Sequence, residues 1–440
     1  MKEAIRQFLL KQLFQKSLKE FEYQKKTIDD STNQIKVNDY QLMLFNNIWK
    51  DVLRNNNYFL EQKNKMKLPG HFESWEEFES IMPVQTKDVI KYNQEEIYNK
   101  HMDRKYKMST GGSSSEPFTF WSGENEVKVA RINGWLGRSI YGIKPNEPVF
   151  LVWGHSHLLG SGINRWKNLF LQEMKDRIRG YSRVSAYNLS EQRLLNFIEE
   201  LKHSKAKYLI GYSTAIEALA NAILVNGQEN QIYNLKTVIA TAESFSTENS
   251  VNKIKKAFNC TVTMEYGCVE TGPIAYSLDG DSKFTTFWPS YKLSLYDSAI
   301  EGKKEIHLTA LYKRSLPLIN YKIGDLTDGY LSENGLLLNK ILGRINDHIL
   351  AEDGSPIHSE IFSHALKVYS FIDKFQVIQE KNKDIILCLK INSQLPLNFK
   401  SDLLERLRKM HSGIPSDINI EITDNFIQSI AGKTKKIIRR

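Results

Sequence analysis

Apolar residues along this chain follow two rhythms. Near the start they recur at helical spacing, with Ile5, Phe8, Leu9, Leu13 and Phe14 set among Lys, Glu and Gln. That pattern predicts a polar, helical segment over residues 1–65. Such a helix packs on its own domain or, given its lysines, lies on a membrane surface. From Pro148 to Lys340 the rhythm changes. VFLVWG (Val149–Gly154), AKYLIGYS (Ala206–Ser213), LKTVIATAES (Leu235–Ser244) and CTVTMEYG (Cys260–Gly267) read as strands. Between them, the segments beginning at Ser190, Ser213 and Thr247 read as helices, the first two capped by their serines. Strand and helix in alternation imply βαβ units and a mainly parallel sheet. Ligands of such sheets sit outside the carboxyl ends of the strands, which here carry GYS, TAES and EYGCVE. After Leu342-Gly343-Arg344 come further strands (FQVIQE, DIILCLK, INIEITD) and helices (Ser359–Val368, Lys400–Met410). The predicted class is α/β: a large N-terminal domain, 1–343, with mainly parallel sheets flanked by helices, and a small α+β domain, 344–440. The junction GRINDHILAEDG lacks a proline-rich linker, so a compact hinge is expected.

Composition narrows the function classes. The 440 residues include 41% hydrophobic and 25% charged positions, the profile of an ordinary globular chain. No run of 18 apolar residues occurs, and Met1–Phe21 is too polar for a secretory signal, so a cytoplasmic protein is expected. Three cysteines, Cys260, Cys268 and Cys388, match neither a disulfide framework nor a zinc pattern. The net charge is +9, partly from the basic end GKTKKIIRR. Without a nucleic-acid module, that charge predicts no nucleic-acid partner.

Five segments carry candidate chemistry. MSTGGSSSEPFTF (Met108–Phe120) gathers glycines that admit a phosphate to the backbone and hydroxyls that donate to it, but it lacks the ending of a nucleotide P-loop. TAES with MEYGCVETGP (Met264–Pro273) sets an aromatic face and a tight turn at a strand end. Three residues on, Glu270 suits a magnesium ion or caps the next segment. In NYKIGDLTDG, Asp325 suits a ribose or sits in a turn. ILGRINDHI holds Arg344 at the inferred junction, and SIAGKTKKIIRR holds Lys433 after Gly432. His155 and His157 in WGHSH lack a third metal ligand, and His155, Tyr212, Ser213 and Cys268 are weak substrate-pocket candidates.

Taken in order, these motifs resemble the adenylate-forming enzymes of the phenylacetate–coenzyme A ligase type, and among them the capsular-polysaccharide (CapK-type) branch. STGGSSSEP resembles the phosphate loop, TAES the adenine segment, EYGCVE the Tyr-Gly-x-x-Glu motif, GDLT the ribose segment, LGRIND the hinge and AGKTKKIIR the lysine loop. IMPVQTKDVI (Ile81–Ile90) and Tyr187–Ala220 add to the likeness, which covers residues 75 to 440.

The resemblance implies a ligase that uses ATP and Mg²⁺ to activate a carboxylic acid as an acyl-adenylate, releasing pyrophosphate. The acyl group then passes to coenzyme A or to an amine, in surface-polysaccharide or secondary-metabolite biosynthesis, by a monomer or homodimer. By the same likeness Lys433 bridges carboxylate and α-phosphate, and Glu270 holds Mg²⁺. Ser109, Thr110, Gly111, Gly112, Ser113 and Ser114 bind the phosphates. Ala242, Glu243, Ser244, Glu265, Tyr266 and Gly267 line the adenine site, Asp325 and Arg344 serve the ribose, and Asn346 marks the hinge. No acyl-enzyme is needed, so Cys268 is expected to line the pocket. Three features depart from the pattern: Ser115-Glu116 stands for Gly-Lys, Thr241 and Ser244 flank the adenine segment, and Asn346 replaces Asp. The acidic Glu116 keeps a second reading open, a silent nucleotide-binding subunit.

Overall fold

The computed structural model describes residues 3–29, 34–109, 118–153, 162–186, 189, 191–229, 233–242, 245, 249–278, 280, 282–298, 303–327, 329–332, 337–344, 348–351, 356–358, 362, 365–366, 368–369, 371–391, 393–410, 413–427 and 437–440. The helical N-terminal segment comprises α1 (Glu3–Leu13), α2 (Gln15–Asp29), α3 (Gln34–Asn55) and α4 (Asn57–Met66). Three short helices follow, α5 (Trp75–Ile81), α6 (Lys87–Tyr92) and α7 (Gln94–Ile97). Phe45 sits at the centre of an aromatic cluster with Trp49, Phe72, Trp75 and Phe78, which fixes α3 to the segment after α4. Large rings of this kind contribute much of the apolar area that a small core can remove from water.

A hairpin, β1 (Tyr106–Ser109) and β2 (Thr119–Ser122), leads into α8 (Glu124–Ser139). Then come β3 (Val149–Trp153), α9 (Gly162–Arg179), β4 (Tyr181–Ser185), α10 (Glu191–His203), β5 (Tyr208–Tyr212), α11 (Ser213–Val225), β6 (Thr237–Thr241), α12 (Ser250–Phe258) and β7 (Thr261–Cys268). These strands pair in parallel in the spatial order β4-β3-β5-β6-β7. The βαβ reading of the hydrophobic pattern holds here. Burial of Leu209, Val238, Ile239 and Ala240 explains why β5 and β6 read as unbroken apolar runs.

Beyond β7 the sheet turns antiparallel through β8 (Gly272–Ser277), β9 (Phe284–Thr286) and a short β13 (Leu337–Leu338). A second, antiparallel sheet runs β10 (Tyr291–Asp297), β11 (Lys304–Ala310), β12 (Tyr321–Thr327) and β14 (Ile341–Arg344), with β13 (Leu337–Leu338) preceding β14 in the chain. The remaining elements are β15 (His348–Leu350), β16 (Pro356–His358), β17 (Ile372–Gln379), β18 (Ile385–Ile391), α13 (Phe399–Met410), β19 (Asn419–Ile422) and β20 (Ile437–Arg439). They share a separate core in which Ile349, Ile357, Leu387, Leu403 and Ile437 are buried together. The predicted helix Ser359–Val368 falls largely outside the described residues.

Two details differ from the sequence reading. Ser213 is the first residue of α11, not its cap, and the cap position, Tyr212, makes no side-chain capping bond. Asp325 lies inside β12, not in a turn.

Helix α8 packs on β8 at Gly137. A Cβ built there would come within 2.2–2.6 Å of the Tyr276 ring, which is fully buried. Gly137→Ala is therefore expected to destabilise the protein by about 1–3 kcal/mol through overpacking. Urea denaturation followed by tryptophan fluorescence measures this, and an unchanged midpoint would mean that Tyr276 yields freely.

Candidate functional site

The site grows from one tight turn. Strands β7 and β8 approach so closely that a Cβ on Gly267 would stand 2.3 Å from the carbonyl oxygen of Gly272. Glycine is therefore obligatory in EYGCVETG, and Gly272 itself takes φ +72, a value open to glycine. The turn carries Glu270 into the interior, where it is 3% exposed. Arg314, itself buried, donates Nη2 to the Glu270 carbonyl at 2.6 Å and Nε to the carbonyl of Leu316 at 2.9 Å.

Two side chains from distant segments meet the Glu270 carboxylate. Tyr321, at the start of β12, donates its hydroxyl to Oε1 at 2.9 Å. Lys87 places Nζ 3.3 Å from the same oxygen. Local sequence explains how the lysine arrives. Thr86 caps α6, accepting from the Val89 N–H at 3.2 Å, so Lys87 is the first helical residue. Just before it, Gln85 forms a parallel bridge with Tyr321, donates to Pro317 and accepts from the Ile319 N–H. Gln85 thus aligns Lys87 and Tyr321 on one acid. Burial alone would raise the Glu270 carboxyl. The Lys87 charge and the hydrogen bonds from its backbone, Tyr321 and Cys268 outweigh burial and hold it below the ordinary carboxylate range.

Next along β7, Tyr266 donates its hydroxyl to Asp325 Oδ2 at 2.9 Å, joining the two large sheets. Asp325 in turn stands opposite Arg344 in the β12–β14 ladder. Glu270, Cys268, Tyr266 and Asp325 thus gather at one place, as does the backbone of Arg344. Thr241, paired with Glu265 across β6–β7, donates to the Glu265 carbonyl at 3.1 Å. Ala242 follows with φ +68, a left-handed conformation that costs a non-glycine residue about 1–2 kcal/mol. Backbone strain of this kind clusters at active sites and ligand clamps.

Other sequence candidates are placed differently. Side chains alternate along a strand, so Glu265 faces away from Tyr266. Its carboxylate accepts from the Tyr276 hydroxyl and lies 3.8 Å from Arg138, which itself donates to Tyr208 at 3.2 Å. That partly buried pairing ties the Glu265 carboxylate to α8 and β8. Ser213 is wholly buried, which suits packing and not a pocket wall. Tyr212 keeps its place at the end of β5, its ring 4.7 Å from that of Trp153 on β3. The Cys268 thiol shares a hydrogen bond with Thr271 at 3.2 Å. Burial, first, and the nearby Glu270 charge push its pKa far above the usual thiol value, so it is no nucleophile at neutral pH.

Ser109 ends β1 opposite Thr119. Thr110, Gly111, Gly112, Ser113, Ser114, Glu116, His155, Glu243, Ser244, Asn346 and Lys433 lie outside the described residues, as does the side chain of Arg344. Three residues of the site went unnamed by motif reading, namely Lys87, Tyr321 and Arg314. Lys87 sits within IMPVQTKDVI and Tyr321 is the second residue of NYKIGD, so both stood inside quoted segments. Their convergence depends on contacts 183 and 51 positions apart in the chain.

Comparison with known structures identifies the fold. The chain aligns with 2-hydroxyisobutyryl-CoA ligase in its postadenylation state, bound to an acyl-AMP, with a TM-score of 0.61 and 15% identity, covering 92% of this chain and 89% of that one. The same ligase bound to 2-HIB-AMP and CoA in its thioesterification state gives 0.59 and 15%, covering 93% and 91%. The fold is that of the adenylate-forming ligases. Residues 349–440 match the CapK C-terminal domain. Over 428 residues the chain is 24% identical to Protein CapK of Staphylococcus aureus, covering 90% of this chain and 88% of that protein. The chain thus has the adenylate-forming ligase fold and is similar to Protein CapK along most of its length.

Proposed function

We propose that this protein activates a carboxylic acid with ATP and passes the acyl group to coenzyme A or to an amine. The observation that carries the reading is the Glu270 turn, buried and held by Lys87 and Tyr321 beside the Tyr266–Asp325 pair. The CapK likeness and the fold shared with an acyl-CoA ligase support it. A carboxylate oxygen attacks the α-phosphorus, the bond to the bridging oxygen breaks, and pyrophosphate leaves. In the second step a thiol or amine attacks the acyl carbonyl, loses its proton, and AMP departs.

Both substrates of the first step are anions, so their meeting requires preorganised positive charge. Lys433 supplies it at the α-phosphate, and residues 109–114 donate to the other phosphates. Ala242, Glu243, Ser244 and Tyr266 flank the adenine, while Asp325 and Arg344 hold the ribose. Glu270 is the acid suited to a Mg²⁺ ion. That ion accepts one carboxylate with phosphate oxygens and water completing its shell, and when bound it neutralises phosphate charge. Among the described residues no group of three or more His, Cys, Asp or Glu is gathered for a metal, which fits an ion carried chiefly by the nucleotide. The domains divide at 343/344, where rotation near Asn346 withdraws Lys433 between half-reactions. The CapK likeness supports a role in surface-polysaccharide or secondary-metabolite biosynthesis, and the proposed reaction takes place in the cytoplasm.

The test is pyrophosphate release from purified protein with ATP, Mg²⁺ and a panel of aryl, fatty, hydroxy and amino acids, each with and without coenzyme A. Acid-dependent release is expected, and stimulation by coenzyme A identifies a thioester product. Nucleotide binding without release from any acid would overturn the ligase reading in favour of a silent subunit.

A further inference from the structure

Helix α1 has two apolar-bearing faces but only one is seated on the protein. Leu10 is buried, and Arg6 is buried with its guanidinium donating to the carbonyls of Arg179 and Asn146 at 3.0 and 3.1 Å. The following turn is pinned by Phe14, whose ring lies under the Arg131 guanidinium at 4.4 Å and against Trp135. The other face points outward. Ile5, Phe8, Leu9 and Leu13 are 52%, 61%, 44% and 66% exposed. At 100° per residue they form one stripe, edged by the exposed Lys11. Helix α9, which α1 touches through Arg6, exposes Phe170, Leu171 and Met174 in the same manner. Lys175, Arg177 and Arg179 are exposed around them, against a single exposed acid, Glu173, in that stretch.

Apolar stripes of this extent on a folded surface mark an interaction site. Charge selects the occupant. A second copy of the chain would bring a like-charged rim against this one on a protein of net charge +9. An anionic bilayer surface satisfies both features, taking the apolar side chains below its headgroups and the cations among its phosphates. We propose that α1, with the exposed stripe of α9, docks this protein on anionic phospholipid. Docking is peripheral, since no helix among the described residues is long and apolar enough to cross a membrane. This inference stands independently of the chemistry proposed for the Glu270 site.

The experiment is cosedimentation of the full-length protein with phosphatidylcholine vesicles, pure or containing about a quarter phosphatidylglycerol. Binding is expected to the anionic vesicles, to weaken as salt is raised, and to be slight on the neutral ones. Phe8→Ser combined with Leu13→Ser should lower partitioning at least about tenfold. Both side chains are exposed, so thermal unfolding should not change. Lys11→Gln with Lys175→Gln should reduce the preference for anionic vesicles without touching the apolar stripe. Val225→Ser, 84% exposed at the end of α11, should leave binding as it was. Equal binding to both vesicle types, or undiminished binding by the Phe8/Leu13 variant, would overturn the proposal. So would a self-associated species in sedimentation equilibrium that this variant disrupts while vesicles bind nothing.

Discussion

Lys433→Ala should slow acid-dependent pyrophosphate release by about a hundredfold to a thousandfold, the loss seen when one preorganised charge contact to a transition state is removed. The reasoning begins with repulsion. A carboxylate and a triphosphate carry like charge, and the attack brings an acid oxygen within bonding range of the α-phosphorus. A single ammonium between them counters that repulsion and fixes the in-line approach. Lys433, after Gly432 in a terminal segment rich in Lys, is the cation assigned to this position. The proposed rotation of the small domain adds a second, sharper expectation. If rotation withdraws Lys433 before acyl transfer, the variant should convert a synthetic acyl-adenylate and acceptor to product at close to the normal rate. The expected signature is therefore a defect confined to the first half-reaction. Pyrophosphate release at the normal rate with a validated acid would remove Lys433 from the mechanism. A matching loss in both half-reactions would instead point to damage of the small domain.

Most of the parallel half of the main sheet was legible because strands such as β5 and β6 are buried and stand out as apolar runs between amphipathic helices. The edge strand β4, YSRVS, is only partly buried, carries no such run and went unread. The turn chemistry was legible for a related reason. Gly267 must lack a side chain to meet Gly272, and that local demand fixes the spacing from Tyr266 to Glu270. Contacts across the fold were not legible. Nothing near Lys87 reveals that Gln85 stitches its segment to the start of β12, and nothing near Glu265 announces Arg138 and Tyr276. Glu265 and Tyr266 are neighbours in sequence and both fit an adenine-site motif, yet strand alternation sends them to opposite faces. The antiparallel extension through β8 and β9 was likewise hidden, because its strands are short and their alternation does not reveal their partners. Motif reading thus found the residues on the turn, and the structure supplied the groups that hold the turn in place.

Glu270→Gln separates the two roles of that acid. The amide keeps the size of the side chain and an oxygen for the Tyr321 hydroxyl, but it discards the charge facing Lys87. Lys87 is about one-third exposed, so its ammonium can turn toward water, and the loss should resemble that of one charged hydrogen bond, about 1.5–3 kcal/mol at pH 7. The pH dependence follows from the depressed carboxyl. An unfolded glutamate titrates near 4.5, and Glu270 in the folded protein titrates lower. The ionised form therefore stabilises the fold fully above pH 4.5, and this contribution is lost as pH falls through the lower, folded value. Urea denaturation of both proteins from neutral to acid pH should show a gap that is constant at neutrality and narrows below pH 4.5. Because the other carboxylates titrate alike in the two proteins, the difference isolates Glu270. A gap that does not change with pH would mean that packing, not charge, sets its contribution. Adenylation should fall by about a hundredfold or more in the same variant, and raising Mg²⁺ should recover part of it if the lost charge had been holding the ion. Activity that falls without such recovery would assign Glu270 to holding Lys87 and Tyr321 in register, and its carboxylate would then act on the nucleotide only through them.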